Sequence, residues 1–147
     1  MANVVPYAFP VELLSGTHNF ASDTFKLALY TANPYTQSTS TVYVATSESS
    51  GTEYSAGGNT LAGNAVSNVA DIATVDFTDS VWGSPTPATF SAAYGTIYNS
   101  SASNKLVVVL DFGGTKSCSN GTFTVTFPSP TSGSPSGADA LLSIKSN

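Results

Sequence analysis

The feature that most limits the fold of this chain is an alternation of apolar and polar residues with a period of two. It is clearest where Phe123, Val125 and Phe127 alternate with threonines. Successive side chains of a β-strand point to opposite faces, so the pattern predicts strands that bury one face. Turn-rich segments separate these strands. We therefore expect an all-β chain of about eight strands, over residues 24–32, 40–46, 54–61, 71–79, 88–99, 105–112, 121–128 and 140–146.

The expected architecture is a single antiparallel β-sandwich, jelly-roll-like or immunoglobulin-like, because half-polar sheets must bury one face against another layer. Residues 1–147 have the length of one ordinary domain. Residues 1–12 contain two prolines and two aromatic side chains and predict an extended N-terminal arm. The one candidate helical turn lies in residues 10–20, where Pro10 could open it and Gly16 could close it.

The charge balance excludes one class of partner. Lysine and arginine together number four and acidic residues nine, which gives a net charge of −5 at pH 7. Nucleic-acid binding depends on clustered basic residues, so we expect no nucleic-acid partner. No stretch approaches the roughly 20 apolar residues of a membrane span, and we expect no membrane partner. No secretory signal is visible, which predicts synthesis in a cytoplasm.

Two carboxylates at strand ends are the first candidates for chemistry. Asp111 follows the apolar run of residues 106–110, and Asp76 lies in the similar stretch TVDF. An aspartate just before a Gly-Gly pair commonly accepts backbone N–H bonds and fixes a turn, so we assign Asp111 to the architecture of a turn. Asp76 shares a strand face with Thr74 and Thr78, and we assign it to the architecture of the sheet. A Ca²⁺ site at Asp76 and Asp79 matches no known ligand spacing. We expect no metal and no cofactor.

His18 and Trp82 complete the candidate residues. His18 is interpreted as a surface or capping histidine, because no nucleophile motif accompanies it. With no catalytic residue to assign, we expect the chain not to be an enzyme. Trp82 and the tyrosines are interpreted as core or interface residues, and stacking on sugars is the alternative that would make the chain a carbohydrate-binding surface module.

Several segments, taken in order, resemble a family of small structural proteins of tailed bacteriophages. They are ELLSGTHNF…DTFKLALYTA, YVATSESSGTEYSAGGNTLAG, ATVDFTDSVW, ATFSAAYGTIYNSSASNKLVVVLDFGG and GTFTVTFP, and they run from about residue 11 to about residue 144. The resemblance implies a virion protein, similar to capsid cement or decoration proteins. Such a protein is made in the host cytoplasm and lies on the capsid surface, where it binds and stabilises the shell of major capsid protein. A tail or neck adaptor, or a fibre-associated virion protein, is the alternative within the particle.

The residues expected to contact the capsid come from the N-terminal segment. An extended arm exposes apolar side chains that a partner could cover. The expected contact residues are Val4, Val5, Tyr7, Phe9 and Leu13. The threefold axes of a capsid favour a homo-oligomer, and we expect a trimer.

Overall fold

The computed structural model describes residues 3–69, 72–127 and 142–145. This part of the chain contains one helix and nine strands. In chain order they are α1 (Ala8–Leu14), β1 (Phe25–Tyr30), β2 (Asn59–Thr60), β3 (Ala65–Val69), β4 (Ile72–Asp76), β5 (Ser80–Trp82), β6 (Ala88–Asn99), β7 (Lys105–Gly121), β8 (Phe123–Val125) and β9 (Leu142–Lys145).

The strands form three sheets in the described residues, and every strand pair is antiparallel. The largest sheet has the order β2-β1-β6-β7, the second β3-β4-β9, and the third pairs β5 with β8. The long β6–β7 hairpin is the most extensive of these antiparallel pairs. The all-β prediction is therefore confirmed. No helix in the described ranges is long and apolar enough to cross a membrane.

Strand β1 lies inside the largest sheet and is buried on both faces. Phe25, Leu27 and Leu29 pack into a main cluster, which also receives side chains from β4, β5, β6, β7 and β8. Ala28 and Tyr30 pack on the opposite face into a smaller second cluster. The two faces match the alternation in the sequence, and the 31–58 loop contributes Tyr35 and Tyr43 to the second cluster.

Aromatic contacts join the largest sheet to the other two through the main cluster. The Phe25 ring centroid lies 5.6 Å from that of Phe77, which follows β4. The Phe90 centroid on β6 lies 5.0 Å from that of Phe123 on β8. The alternation of residues 122–127 is confirmed, because Phe123, Val125 and Phe127 are buried while the threonines between them are exposed.

Two predicted strands are shorter than the sequence pattern suggests. Residues 40–46 form only an isolated bridge, Val42 with Lys105, because the segment crosses the edge of β7 and pairs there once. In residues 54–61, Gly57 and Gly58 have φ of +87° and +69°, which makes a turn that a strand cannot continue through. Strand β2 is therefore confined to Asn59–Thr60.

The extended N-terminal arm over residues 1–12 is not what the structure shows. Val4 makes one antiparallel bridge with Val109 at the edge of β7, and from Ala8 the chain is helical. The apolar residues of this segment recur at a helical spacing, so folding them as α1 buries one face against the core. Residues 129–137 are rich in serine, proline and glycine and predict a loop, which lies outside the described residues.

Candidate partner-contact surface

The C-terminal end of helix α1 is well defined. Gly16 has φ of +77°, a left-handed conformation that glycine adopts without strain. The Thr17 N–H donates to the Glu12 carbonyl at 2.8 Å, and the Gly16 N–H donates to the Leu13 carbonyl at 3.2 Å. These two bonds form a Schellman motif. The prediction that Gly16 closes a helical turn is confirmed, whereas the helix begins at Ala8, two residues before Pro10.

Pro10 is compatible with this helix because it lies in the first turn. The first four N–H groups of an α-helix have no intrahelical acceptor, so the missing N–H of proline costs nothing there. A proline that interrupts a strand would favour an extended arm. A proline in the first turn of a helix is instead compatible with the helix that is present.

The inner face of α1 is anchored in the main cluster. Phe9 is 2% exposed, and its ring centroid lies 5.1 Å from that of His18 and 6.2 Å from that of Phe20. Leu13, one turn later, is half-buried against the same cluster. The helix is therefore a structural part of the domain.

Glu12 connects the same face of α1 to Lys105, the first residue of β7. Its Oε1 accepts a hydrogen bond from Lys105 Nζ at 2.6 Å, and its Oε2 lies 3.2 Å from His18 Nε2. The Glu12 side chain is largely buried, and the His18 side chain is completely buried. The interpretation of His18 as a surface or capping residue is wrong, because the histidine lies beneath the helix and bridges it to the sheet.

Asn99, at the end of β6, sets the tautomer of His18. Asn99 Oδ1 accepts the N–H groups of Ser101 and Ala102, and Asn99 Nδ2 donates to Asp23 Oδ2 at 2.7 Å, so the amide cannot be reversed. The same Nδ2 lies 3.2 Å from His18 Nδ1 and must donate to it. Nδ1 is then the acceptor and Nε2–H the donor to Glu12. Neutral His18 thus satisfies both neighbours at once.

The outer face of α1 presents three large apolar side chains to solvent. Tyr7 is 63% exposed, Val11 68% and Leu14 90%. Their spacing of four and three residues places them along one side of a helix. This outer face, defined by Tyr7, Val11 and Leu14, is the candidate partner-contact surface.

The five residues predicted to contact a partner divide between the two faces. Tyr7 lies on the outer face. Val4 and Val5 are half-buried, the former hydrogen-bonded through its backbone to Val109 in both directions at 2.8 Å. Phe9 and Leu13 point into the core. The helical spacing of YAFPVELL groups Tyr7, Val11 and Leu14 on one side of the helix, but it does not determine which side meets the core.

Glu48 connects several parts of the 31–58 loop through hydrogen bonds, and no motif in the sequence indicates this role. Its carboxylate accepts the hydroxyl of Tyr43 at 2.6 Å, the hydroxyl of Tyr54 at 2.8 Å and the N–H of Gly57 at 2.7 Å. Burial raises the pKa of both tyrosines, and the adjacent Glu48 charge raises them further. These contacts hold the 31–58 loop over the second cluster.

The aspartates make hydrogen bonds to backbone N–H groups. Asp111 lies within β7, not at its end, and its Oδ1 accepts the N–H of Gly113 at 2.8 Å. The predicted backbone bond is present, but the predicted turn is wrong, because β7 continues through Gly113 and Gly114 to Gly121. Asp76 Oδ1 accepts the N–H of Phe77, and Asp79 Oδ1 that of Phe127. Within the described ranges, no group of three or more His, Cys, Asp or Glu side chains is placed to hold a metal ion.

Trp82 does not face solvent. It is 3% exposed and packs among Tyr54, Phe90 and Phe123 with ring centroids about 6 Å apart. Its interpretation as a core residue is confirmed, and sugar stacking on Trp82 is excluded in this fold because no ligand reaches the ring.

Comparison with protein-family models, with curated proteins and with solved structures finds no match to this chain.

Proposed function

We propose that this chain is a structural protein of a tailed-bacteriophage virion, a capsid decoration protein that binds and stabilises the outer surface of the major capsid protein shell. In this proposal the chain is not an enzyme. The observation that carries it is the outer face of α1, since a rigidly anchored helix presents Tyr7, Val11 and Leu14 to solvent. Contiguous exposed apolar side chains of this kind mark protein interaction sites.

The size of the outer face argues for attachment through several copies. Covering one large apolar side chain contributes roughly 1.5–3 kcal/mol, so three contribute on the order of 5 kcal/mol. Association costs about 4–15 kcal/mol in lost freedom of motion and ordering. One face alone therefore gives weak binding, whereas an oligomer that presents several faces to a repeating lattice gains avidity. We accordingly include a homo-oligomer in the proposal, a trimer to match the threefold axes of a shell.

We further propose that the three sheets pack as a β-sandwich. In support, the main cluster receives Phe25 and Phe90 from the largest sheet and Trp82 and Phe123 from the β5–β8 pair. Such a layered packing would give the decoration protein a stiff body from which α1 projects its outer face.

The first experiment determines the copy number of the protein per virion by quantitative mass spectrometry against the major capsid protein. We expect a simple whole-number ratio to the capsid subunits. A few copies to a few tens per particle would instead assign the protein to the neck or tail. Absence from purified virions would overturn the proposal.

A second experiment tests the outer face directly, by binding of variants to capsids that lack the protein. Leu14→Lys removes apolar surface and places a cation at a helix C-terminus, where it is compatible with the helix. We expect a loss of affinity of about tenfold or more, which is about 1.4 kcal/mol. The matched control is Val66→Lys on β3, also an exposed apolar residue, which should bind as the wild type does. Equal binding of all three proteins would exclude α1 as the contact.

A further inference from the structure

A cavity of about 400 Å³ opens beside the N-terminal segment, on a part of the surface that the proposed capsid contact does not use. It lies between the residues that precede α1, the 33–40 loop and strand β7. Its lining comprises Val4, Pro6, Asn33, Tyr35, Thr36, Gln37, Ser40 and Val109. The volume falls within the range of small-molecule sites in proteins.

The floor of this cavity is apolar and already well packed. Pro6, Tyr35 and Val109 are buried. The Tyr35 hydroxyl is committed elsewhere, because it lies 2.7 Å from the Tyr30 hydroxyl and accepts the N–H of Val44. Tyr35 therefore offers ring carbon, not its hydroxyl, to anything that enters the cavity.

The rim is made of neutral polar side chains held in place by their own hydrogen bonds. Asn33 Oδ1 accepts the N–H of Tyr35 at 2.9 Å, and Gln37 Nε2 donates to the Val5 carbonyl at 3.0 Å. The Ser40 hydroxyl accepts the N–H of Thr36 at 2.8 Å.

Asn33, Thr36 and Gln37 each have a further polar atom that could form a hydrogen bond. Within the described residues, Asn33 Nδ2, Thr36 Oγ1 and Gln37 Oε1 have no partner. The residues that line the rim thus carry one amide donor, one hydroxyl and one amide acceptor with which a ligand could form hydrogen bonds.

Charge restricts the ligand further. Among the described residues that line the cavity, none carries a charge, and the chain as a whole has a net charge of −5. Phosphates and carboxylates lack a cationic partner here, and a cation lacks a carboxylate. The ligand that suits an apolar floor and a rim of amides and hydroxyls is neutral, with one face of C–H groups and an edge of hydroxyls.

We propose that this cavity binds a neutral sugar unit. The carbon face of the ring packs on Val4, Tyr35 and Val109, and its hydroxyls bond to the rim. The proposal is independent of capsid decoration, because the cavity and the outer face of α1 use different residues. It also differs from sugar stacking on Trp82, which is buried elsewhere.

The test is a titration of the full chain with glucose, galactose and N-acetylglucosamine, followed by backbone amide chemical shifts in NMR. We expect at least one of these sugars to give saturable shifts in residues 33–40 and at Val109. Glucuronate, which carries a carboxylate, should bind at least about tenfold more weakly.

Two matched variants test whether a hydroxyl on the rim of the cavity contributes to sugar affinity. Thr36→Val removes only a hydroxyl that has no partner in the described residues, so the fold is retained and sugar affinity should fall about tenfold. Thr39→Val, on the same loop and outside the cavity lining, should bind as the wild type does.

Three results would overturn the proposal. The first is no saturable shift with any of the three sugars. The second is an affinity that Thr36→Val leaves unchanged. The third is equal saturation of the same amides by isopropanol, because the cavity would then be an apolar slot suited to a side chain of a protein partner.

Discussion

Asp23 is held in its ionised form by the residues around the base of α1. Its Oδ2 accepts the N–H of Asn19 at 2.9 Å and the amide of Asn99 at 2.7 Å. The hydrogen bond from Asn19, followed by that from Asn99, lowers the pKa of this carboxyl below its ordinary value of 3.8. Since Asn99 also orients His18, Asp23 belongs to the group of side chains that fixes the helix to the sheet.

The lowered pKa predicts a loss of stability in acid. A carboxyl whose pKa is lower in the folded state contributes stability above its unfolded pKa and loses it as the pH falls through the folded value. When the pH is lowered below about 4, we expect the free energy of unfolding, measured with urea, to decrease. The decrease should be less steep in Asp23→Asn. Glu53→Gln, a neutralisation at an exposed position, is the control. Identical acid slopes for all three proteins would contradict the assignment.

The two faces of helix α1 differ in their environment. Phe9 on the inner face is 2% exposed and Leu14 on the outer face is 90% exposed, although both are large apolar residues of one short helix. The inner face contributes to folding, and the outer face contributes only when a partner covers it.

The two faces predict opposite outcomes for the same kind of truncation. Phe9→Ala leaves a cavity in the main cluster and should lower the free energy of unfolding by about 3–5 kcal/mol. Leu14→Ala removes solvent-exposed surface and should change it by less than about 0.5 kcal/mol. Urea unfolding of both variants is the measurement. Similar, small losses would mean that the segment is the detached arm that its prolines suggested.

The elements that could be predicted from sequence are those with strong local patterns. The alternation in β1 and in residues 122–127 identified both strands and their faces, and Gly16 identified the end of α1. The pattern failed where distant partners decide the outcome. Residues 40–46 have the composition of a strand, yet the neighbour that they meet, Lys105, offers only one bridge.

The candidate surface was half predictable for a similar reason. The apolar composition of the N-terminal segment was enough to predict the location of this surface and to include Tyr7, which is exposed. The choice of Val11 and Leu14 over Phe9 and Leu13 depends on which face meets the main cluster. That orientation is fixed by Glu12 with Lys105 and His18, contacts that no local pattern reveals.

At the scale of the whole molecule, the second cluster makes the fold sensitive to base. Tyr30, Tyr35 and Tyr98 lie in it, and Glu48 accepts the hydroxyl of Tyr43, which packs against the same cluster. Burial, and after it the nearby charge of Glu48, raises the pKa of Tyr98 to about 12. The folded state thus retains protons that the unfolded chain releases at about pH 10.

The sign of this effect gives a prediction. A group whose pKa is raised in the folded state contributes full stability below its unfolded pKa and loses it as the pH rises toward the folded value. We expect the free energy of unfolding to decrease from about pH 10 upward, and less steeply in Tyr98→Phe. Tyr7→Phe, at an exposed ring, serves as the control for the loss of a tyrosine. A stability that is constant up to about pH 12 would contradict the role of the second cluster.

The bridge between Val4 and Val109 has a consequence for biosynthesis. Residues 4–14 leave the ribosome well before residues 99–109, which supply the strand edge, the Lys105 cation and the Asn99 amide that hold them. Contacts of such long sequence separation form late in folding. Helix α1 therefore has no fixed orientation until residues 99–109 have been translated, so it cannot present its outer face to a partner before that point.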